Sequence, residues 1–162
     1  MPIPGRSVMR TSIWRAKLPC MKIRLLMLGK TRRPELTALL SDYIQRISRA
    51  CPIEITEVRD GDAAVKKLDA DRAAAVLLLD AGGKVHDSAS FARWLGELRE
   101  RGTRELIFVC GDAVGFPDAL RERVKQKFSL SAMTYSHELA RVMLAEQLYR
   151  AFAILSGSPY PK

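Results

Sequence analysis

The sequence predicts a single α/β domain in which a mostly parallel sheet is flanked by helices. Near-continuous apolar runs at residues 73–79 and 106–109 are typical of strands that are buried on both faces. Amphipathic helical patterns alternate with these runs, which is the order of elements that builds a parallel sheet. The 162 residues suffice for one compact core and are too few for two ordinary domains.

The overall composition is that of a soluble globular protein, with 48% hydrophobic and 28% charged residues. The longest uninterrupted apolar run, at residues 73–79, is far shorter than the span of a bilayer. The sequence pattern therefore excludes a protein built around a transmembrane helix.

Positive charge is the first indication of function. The chain has 27 Lys and Arg residues against 18 Asp and Glu residues, a net charge of +9. Four of the basic residues lie in the first twenty positions, which contain no acid, so the rest of the chain carries +9 minus +4, or +5. This balance favours a polyanionic partner such as nucleic acid through counterion release, although many basic proteins bind no polyanion.

Residues 1–20 are predicted to be a basic flexible extension, or to precede a native start at Met21, where the first strand begins. The predicted domain then covers residues 21–162. The extension lacks both the apolar core and the small-residue cleavage site of a secretory signal, so it does not indicate export.

The positions of the cysteines and histidines indicate the cellular compartment and the kinds of site that we expect to be absent. The cysteines, Cys20, Cys51 and Cys110, are scattered and odd in number, which excludes a disulfide framework and fits a reducing compartment. We therefore expect a cytoplasmic protein. The two histidines, His86 and His137, stand far apart in the chain, so we expect no metal site.

The first half of the domain is predicted to contain two strands and two helices. Residues 22–28 form an apolar strand, and a helix over residues 34–49 carries Pro34 in its first turn, where proline is tolerated. Alternation of apolar and polar residues over 53–58 predicts a half-exposed strand. The polar segment 59–70 predicts a loop and a short helix.

The middle of the chain supplies the next strand and helix. The buried strand over residues 73–79 is predicted to end at Asp80 and the glycine pair Gly82-Gly83. Ser88 is predicted to cap the following helix. Together with the strand that comes next, these elements predict a further parallel crossover.

The last helix, over residues 138–155, is apolar on more than one stripe. One stripe can pack on the sheet, and the second requires another cover. Because little chain remains after this helix, the pattern predicts a homodimer in which a second copy provides the cover. The alternative is a helix that is simply well buried within its own chain.

Two loops in the last third of the chain are predicted to face each other across a ligand crevice. They span residues 110–115 and 130–135, and each follows an apolar run. Parallel strands open their carboxyl ends at one edge of a sheet, so both loops should lie beside Leu79. The G-x-x-x-G spacing of Gly111 and Gly115 is weak by itself, because a turn explains it as well as a ligand does.

The C-terminal third also carries a specific combination of motifs. They are Phe108-Val109 before the Gly111 loop, Leu130-Ser131-Ala132-Met133-Thr134-Tyr135 with His137, Arg141, Ala145-Glu146-Gln147-Leu148-Tyr149-Arg150-Ala151, and Pro159-Tyr160. This combination resembles the large-subunit ribosomal RNA methyltransferases of the H type, small members of the knotted SPOUT class. The resemblance implies a C-terminal trefoil knot, an obligate homodimer and S-adenosylmethionine as methyl donor. It further implies N3 methylation of a pseudouridine in 23S rRNA, position 1915 in the family, on the assembled ribosome.

The resemblance also implies which residues form the cofactor and catalytic site. Candidates for handling or orienting the N3 proton are His137 and Tyr160 and, more remotely, Asp80. For His137 the alternative is a helix-start residue that bonds backbone or a partner subunit. The cofactor contacts fall on Leu79, Gly111, Leu130, Ser131, Ala132, Met133, Thr134 and Tyr135.

Basic residues in the matching region are candidates for contact with RNA phosphates. Arg141, Arg150 and Lys162 are assigned this role, with ordinary surface charge or dimer-interface pairing as the alternative. The segment 121–127 adds a local charge of +3 beside the crevice, and its alternative explanation is a solvated helix face.

The chain departs from the family pattern in two places. Gly111 is followed by Asp112 where the family usually carries a second glycine, and an acid there could bond the cofactor or hinder a loop that needs glycine. The tail ends Tyr160-Pro161-Lys162, where the family usually has histidine after the tyrosine. These departures motivate a second hypothesis, a non-catalytic or altered-target ribosomal RNA-binding protein on the same scaffold. An ordinary nucleotide-binding enzyme is disfavoured, because neither G-x-G-x-x-G nor G-x-x-x-x-G-K-[ST] occurs.

Overall fold

Five strands form one sheet in the computed structural model, which describes residues 20–71 and 74–160. They are β1 (Lys22–Leu28), β2 (Ile53–Val58), β3 (Ala75–Val85), β4 (Glu105–Cys110) and β5 (Lys127–Ser129). The strands lie in the order β2-β1-β4-β3-β5, and neighbouring strands are parallel throughout. Their carboxyl ends therefore open at one edge of the sheet, as the sequence predicts.

Helices cover both faces of this sheet within the described part of the chain. They are α1 (Pro34–Ile47), α2 (Gly61–Ala70), α3 (Ser88–Glu100), α4 (Asp118–Arg123) and α5 (His137–Leu155). Helices α1, α3 and α5 share a core with Leu25 and Phe108, whereas α2 and α4 share a second core with Leu26 and Val109. Successive residues of a strand point to opposite faces, so β1 and β4 must be apolar at nearly every position. The predicted α/β domain is confirmed.

Strand β3 is longer than the sequence predicts. The prediction that it ends at Asp80 and the glycine pair is wrong, because the strand continues to Val85. A bulge between Leu79 and Lys84 shifts its register against β5. Gly83 packs directly on the β5 backbone, so this glycine permits a close approach of two strands and does not end one of them.

Replacing Gly83 with alanine is expected to lower the free energy of unfolding by about 1–3 kcal/mol, the usual cost of overpacking. The added Cβ would lie 2.7 Å from the backbone carbonyl carbon of Lys127 and 2.7 Å from the backbone nitrogen of Phe128. Urea denaturation measures the loss. The matched control is Gly82→Ala, whose Cβ would meet the Asp80 side chain at 3.2 Å. Equal losses in the two variants would contradict the close approach.

The amino terminus of α3 is capped one residue earlier than predicted. Asp87 has extended backbone, with φ −74° and ψ 166°, and its Oδ1 accepts a hydrogen bond of 2.7 Å from the Ser90 backbone N–H. Ser88 is already the first helical residue. The prediction of a Ser88 cap is wrong because aspartate and serine are equally good caps, and the sequence places them side by side.

Helix α5 is covered by its own chain. Helices α1 and α3 both pack along it, and Leu144 and Leu148 are completely buried. The premise that only a second copy could cover this helix is therefore wrong, since helices from earlier in the chain provide the cover. Leu139 and Ile154 remain 39% and 44% exposed. The homodimer stays a prediction.

Some predictions concern residues outside the described ranges. They include the basic extension, apart from Cys20, and the tail residue Lys162. The trefoil knot stays a prediction that depends on the resemblance. Within the described ranges, no helix combines the length and apolar character needed to span a membrane.

Candidate active site

A cavity of about 480 Å³ opens at the carboxyl ends of β3 and β4. It lies where the two loops were predicted to meet, and Asp80, Cys110 and His137 also line it. Ala132 is exposed and does not belong to the lining. The structure brings seven of the eight predicted cofactor residues to this cavity, namely Leu79, Gly111, Leu130, Ser131, Met133, Thr134 and Tyr135.

The loop after β4 is folded tightly on itself. Asp112 Oδ1 accepts a hydrogen bond of 2.9 Å from the Val114 backbone N–H, and the Gly115 N–H donates to the Asp112 carbonyl at 3.1 Å. Gly115 has a φ of +94°, a region that favours glycine. No described residue other than glycine has a positive φ, so Asp112 occupies its place in the loop without backbone strain. Its carboxylate stabilises the turn.

The loop after β5 is held by serine hydroxyls. Ser129 Oγ donates to the Ser131 carbonyl at 2.8 Å, and Ser131 Oγ accepts from the Met133 backbone N–H at 3.0 Å. Ser136 then caps α5 by accepting from the Leu139 backbone N–H at 3.4 Å. These short-range hydrogen bonds fix the backbone of the second wall while Met133 stays 70% exposed at the cavity.

Asp80 and Cys110 are two ionisable residues at the cavity whose charge is paired or absent. Asp80 Oδ2 lies 3.2 Å from Arg121 Nη1 and 3.9 Å from Lys127 Nζ, so two cations of the basic 121–127 segment bind within the chain. Burial raises the pKa of the Cys110 thiol to about 12. The thiol is therefore protonated at neutral pH and gives the cavity an apolar surface rather than a nucleophile.

Arg141 is a buried structural residue, and the prediction that it binds RNA phosphates is wrong. Its side chain is 0% exposed. The guanidinium donates to the Leu28 carbonyl at 2.6 Å, to the Gly29 carbonyl at 3.2 Å, to Thr31 Oγ1 at 3.1 Å and to the Gly111 carbonyl at 3.4 Å. It thereby joins the end of β1 to the first wall of the cavity.

The burial of Arg141 leaves a recognisable pattern in the sequence. The residues three, four and seven positions later, Leu144, Ala145 and Leu148, are all completely buried. Residues at this spacing share a helix face. A charged side chain on an apolar face indicates a buried hydrogen-bonding role, because an unpaired buried charge is very costly.

Glu138 also fixes the site, and the sequence patterns did not single it out. Its carboxylate accepts hydrogen bonds from the backbone N–H groups of Arg32 at 2.8 Å and Arg33 at 3.2 Å. The bond from Arg32 is the main cause that lowers the pKa of Glu138. With Arg141 one turn later, Glu138 fastens the segment after β1 to the start of α5. An acid in the first helical turn is too common to reveal this role, since the helix dipole alone favours it.

Tyr160 lies far from the cavity in the same chain. Its ring packs on Tyr149 with centroids 4.3 Å apart, and burial, aided by a hydrogen bond with Tyr43, raises the pKa of Tyr160 to about 12. Tyr149 follows His137 by twelve positions on α5, which is about 18 Å at the helical rise of about 1.5 Å per residue. One chain therefore does not bring the two predicted catalytic side chains together.

The contacts that the structure describes for Arg150 are with residues of its own chain. Its Nε donates to Glu146 Oε1 at 3.1 Å, and its guanidinium lies 5.3 Å from the centroid of the Tyr160 ring. A partly exposed pair with Glu146 fits the alternative of ordinary surface charge. Its contact with RNA stays a prediction.

A protein-family model described as "Predicted SPOUT methyltransferase" matches residues 21–161. The chain belongs to the SPOUT methyltransferase family. The predicted family is thus confirmed, and with it the enzyme class of a methyltransferase. The match begins at Met21, one residue before the first strand of the structure.

Relatives of this SPOUT methyltransferase align along almost their full length. The protein named "Ribosomal RNA large subunit methyltransferase H" in Pelobacter propionicus is 41% identical over 151 residues, which cover 86% of this chain and 99% of that protein. The protein of the same name in Gemmatimonas aurantiaca is 40% identical over 157 residues, covering 88% and 100%. A crystal structure of the SpoU methyltransferase AviRb from Streptomyces viridochromogenes, in complex with AdoMet, has a TM-score of 0.48 and 11% identity, covering 89% of this chain and 64% of that one.

Proposed function

We propose that this SPOUT methyltransferase transfers a methyl group from S-adenosylmethionine to N3 of a pseudouridine in 23S rRNA, position 1915 in the family, on the assembled ribosome. The observation that carries the proposal is the meeting of the 110–116 and 130–137 loops around one cavity, in a chain whose relatives bear the name of ribosomal RNA methyltransferases. The net charge of +9 supports a polyanionic substrate. A cytoplasmic location is part of the same proposal.

The cavity residues fit S-adenosylmethionine. A volume of about 480 Å³ lies within the range of small-molecule sites, about 300–1,000 Å³. Leu79, Leu130 and Met133 offer apolar surface to a flat adenine ring, while the backbone of the two loops offers donors and acceptors. The exposed Asp112 carboxylate suits a ligand that carries positive charge. When bound there, the cofactor supplies a methyl group already activated by its sulfonium.

The residues of the chain then have three tasks. The serine-braced loop that contains Ser131 orients the donor, and the apolar lining excludes water from the reacting atoms. The His137 imidazole, at the first turn of α5, takes the N3 imide proton or orients the ring. Asp80 is the weaker candidate, because Arg121 and Lys127 already pair with its carboxylate.

A homodimer is part of the proposal because the tail must otherwise remain remote from the cavity. Tyr160 packs on Tyr149, about 18 Å along α5 from His137. A tail that contributes to a cavity must therefore come from a second copy.

The second candidate is a non-catalytic or altered-target ribosomal RNA-binding protein. Its support is Pro161, which stands after Tyr160 in place of the family's histidine. Asp112 gives it no further support, because this residue fits the loop without strain. Cofactor binding without methyl transfer would favour this candidate.

We expect labelled methyl groups to pass from S-adenosylmethionine to ribosomes that lack the modification, and nucleoside analysis to identify N3-methylpseudouridine. Separate subunits and free rRNA, assayed in parallel, define the substrate. Ribosomes that already carry the modification are the matched control and should accept no label. Calorimetry with S-adenosylhomocysteine tests the cofactor, and no binding at millimolar ligand would defeat the proposal.

A further inference from the structure

A second cavity, of about 300 Å³, lies beside the first. The start of α3, strand β5 and the middle of α5 line it, and Leu130 lines both cavities. The hydrogen bond from Ser129 Oγ to the Ser131 carbonyl connects a residue of the second cavity to a residue of the first. A ligand in the second cavity would therefore sit next to the methyl donor site without entering it.

An aromatic cluster forms part of the second cavity. The His86 ring stacks on Phe128 with centroids 6.0 Å apart and planes inclined by 24°, and it lies 5.9 Å from the Trp94 ring. Phe91 and Phe128 are buried, whereas His86 is only partly buried. Trp94 is also partly buried but does not line the cavity, so His86 is the lining residue that can offer a ring surface to a ligand. Stacking on such a surface selects flat aromatic molecules.

Polar groups stand beside the rings. Ser88 Oγ donates to Gln147 Oε1 at 2.8 Å, and Gln147 Nε2 donates to Glu146 Oε2 at 2.7 Å. The exposed Asp87 carboxylate also lines the cavity. A carboxylate accepts hydrogen bonds from the amino or ring N–H groups that guanine, adenine and cytosine carry on their edges. A flat ring with donors on its edge fits both the rings and the polar groups.

We propose that the second cavity holds an unstacked nucleobase of the RNA, adjacent to the nucleotide that receives the methyl group. The inference rests on the proposed function for the nature of the substrate. Proteins that recognise single-stranded RNA stack splayed bases on aromatic side chains and bind their edges with polar groups. The shared Leu130 wall places the base beside the methyl donor, so it helps to hold the neighbouring target in position.

The test uses His86→Ala, His86→Leu and His86→Phe in the full-length protein with unmodified ribosomes. We expect the alanine and leucine variants to raise the KM for ribosomes about tenfold or more, since both remove the ring. The phenylalanine variant keeps a ring and should stay within about threefold of the parent protein. The affinity for S-adenosylhomocysteine should be unchanged in all three, and thermal melts check that each variant is folded.

Two results would overturn the inference: an unchanged KM in His86→Ala, or full recovery by leucine. Ribosome affinity, measured by co-sedimentation, accompanies the kinetics. If the parent protein binds ribosomes but transfers no methyl group, the proposed function fails, and the order of affinities among the three variants still tests this inference. Parent-like ribosome affinity in His86→Ala would defeat the base-binding cavity while leaving the methyltransferase proposal standing.

Discussion

Replacing Arg141 with methionine is expected to lower the free energy of unfolding by about 3 kcal/mol or more. The guanidinium is completely buried and donates to the carbonyls of Leu28 and Gly29. Methionine fills a similar length but donates to neither acceptor, and the bond lost at the Leu28 carbonyl is a buried one. Chemical denaturation followed by circular dichroism measures the loss.

Arg150→Met is the matched control, because it makes the same change two and a half turns further along α5. The Arg150 side chain is 27% exposed and pairs with Glu146, and partly exposed ion pairs of this kind contribute about 0–1 kcal/mol. A stable Arg141→Met protein with a shallower salt dependence of ribosome binding would contradict the buried role. That result would mean that Arg141 contacts a phosphate after all.

The role of Arg141 is a feature that sequence patterns could not predict. The α/β order, the strand and helix positions and the two loops around the cavity could be predicted, because each depends on local periodicity or on the geometry of parallel sheets. The role of Arg141 depends on which backbone carbonyls the fold brings to it, and Leu28 and Gly29 lie more than a hundred residues earlier in the chain. The positive charge of Arg141 and its place in the family-like region suggested a contact with RNA instead.

The packing of α5 and the length of β3 were missed for a related reason. An apolar stripe on α5 shows that something must cover it, but the stripe is the same whether α1, α3 or a second copy does so. Likewise, the glycine pair at residues 82–83 is compatible with a strand end or with a close approach to β5. Only the positions of the other elements distinguish these alternatives.

Replacing Gly111 with valine is expected to reduce the affinity for S-adenosylhomocysteine by about tenfold or more, because overpacking costs about 1–3 kcal/mol and each 1.4 kcal/mol is about tenfold in affinity. A Cβ on Gly111 would already lie 3.3 Å from the Gly115 carbonyl oxygen and 3.4 Å from Phe116 Cζ. The branched methyl groups of valine would press further into this loop. Calorimetry measures the affinity, and light scattering should show that the proposed homodimer is retained.

Two further variants separate the shape of the loop from general stability. Gly111→Ala adds only the Cβ, so a shift of a few tenths of an ångström can accommodate it, and its loss of affinity should be smaller than that of Gly111→Val. Gly96→Ala, in α3, would bring a Cβ to 3.0 Å from Leu155 Cδ2, away from the cavity, and should leave the affinity unchanged because the flexible end of Leu155 can shift. Unchanged affinity in Gly111→Val would mean that the cofactor binds elsewhere. The Arg141 guanidinium also contacts the Gly111 carbonyl. Unchanged affinity in Gly111→Val would therefore also mean that this contact of the buried arginine does not support cofactor binding.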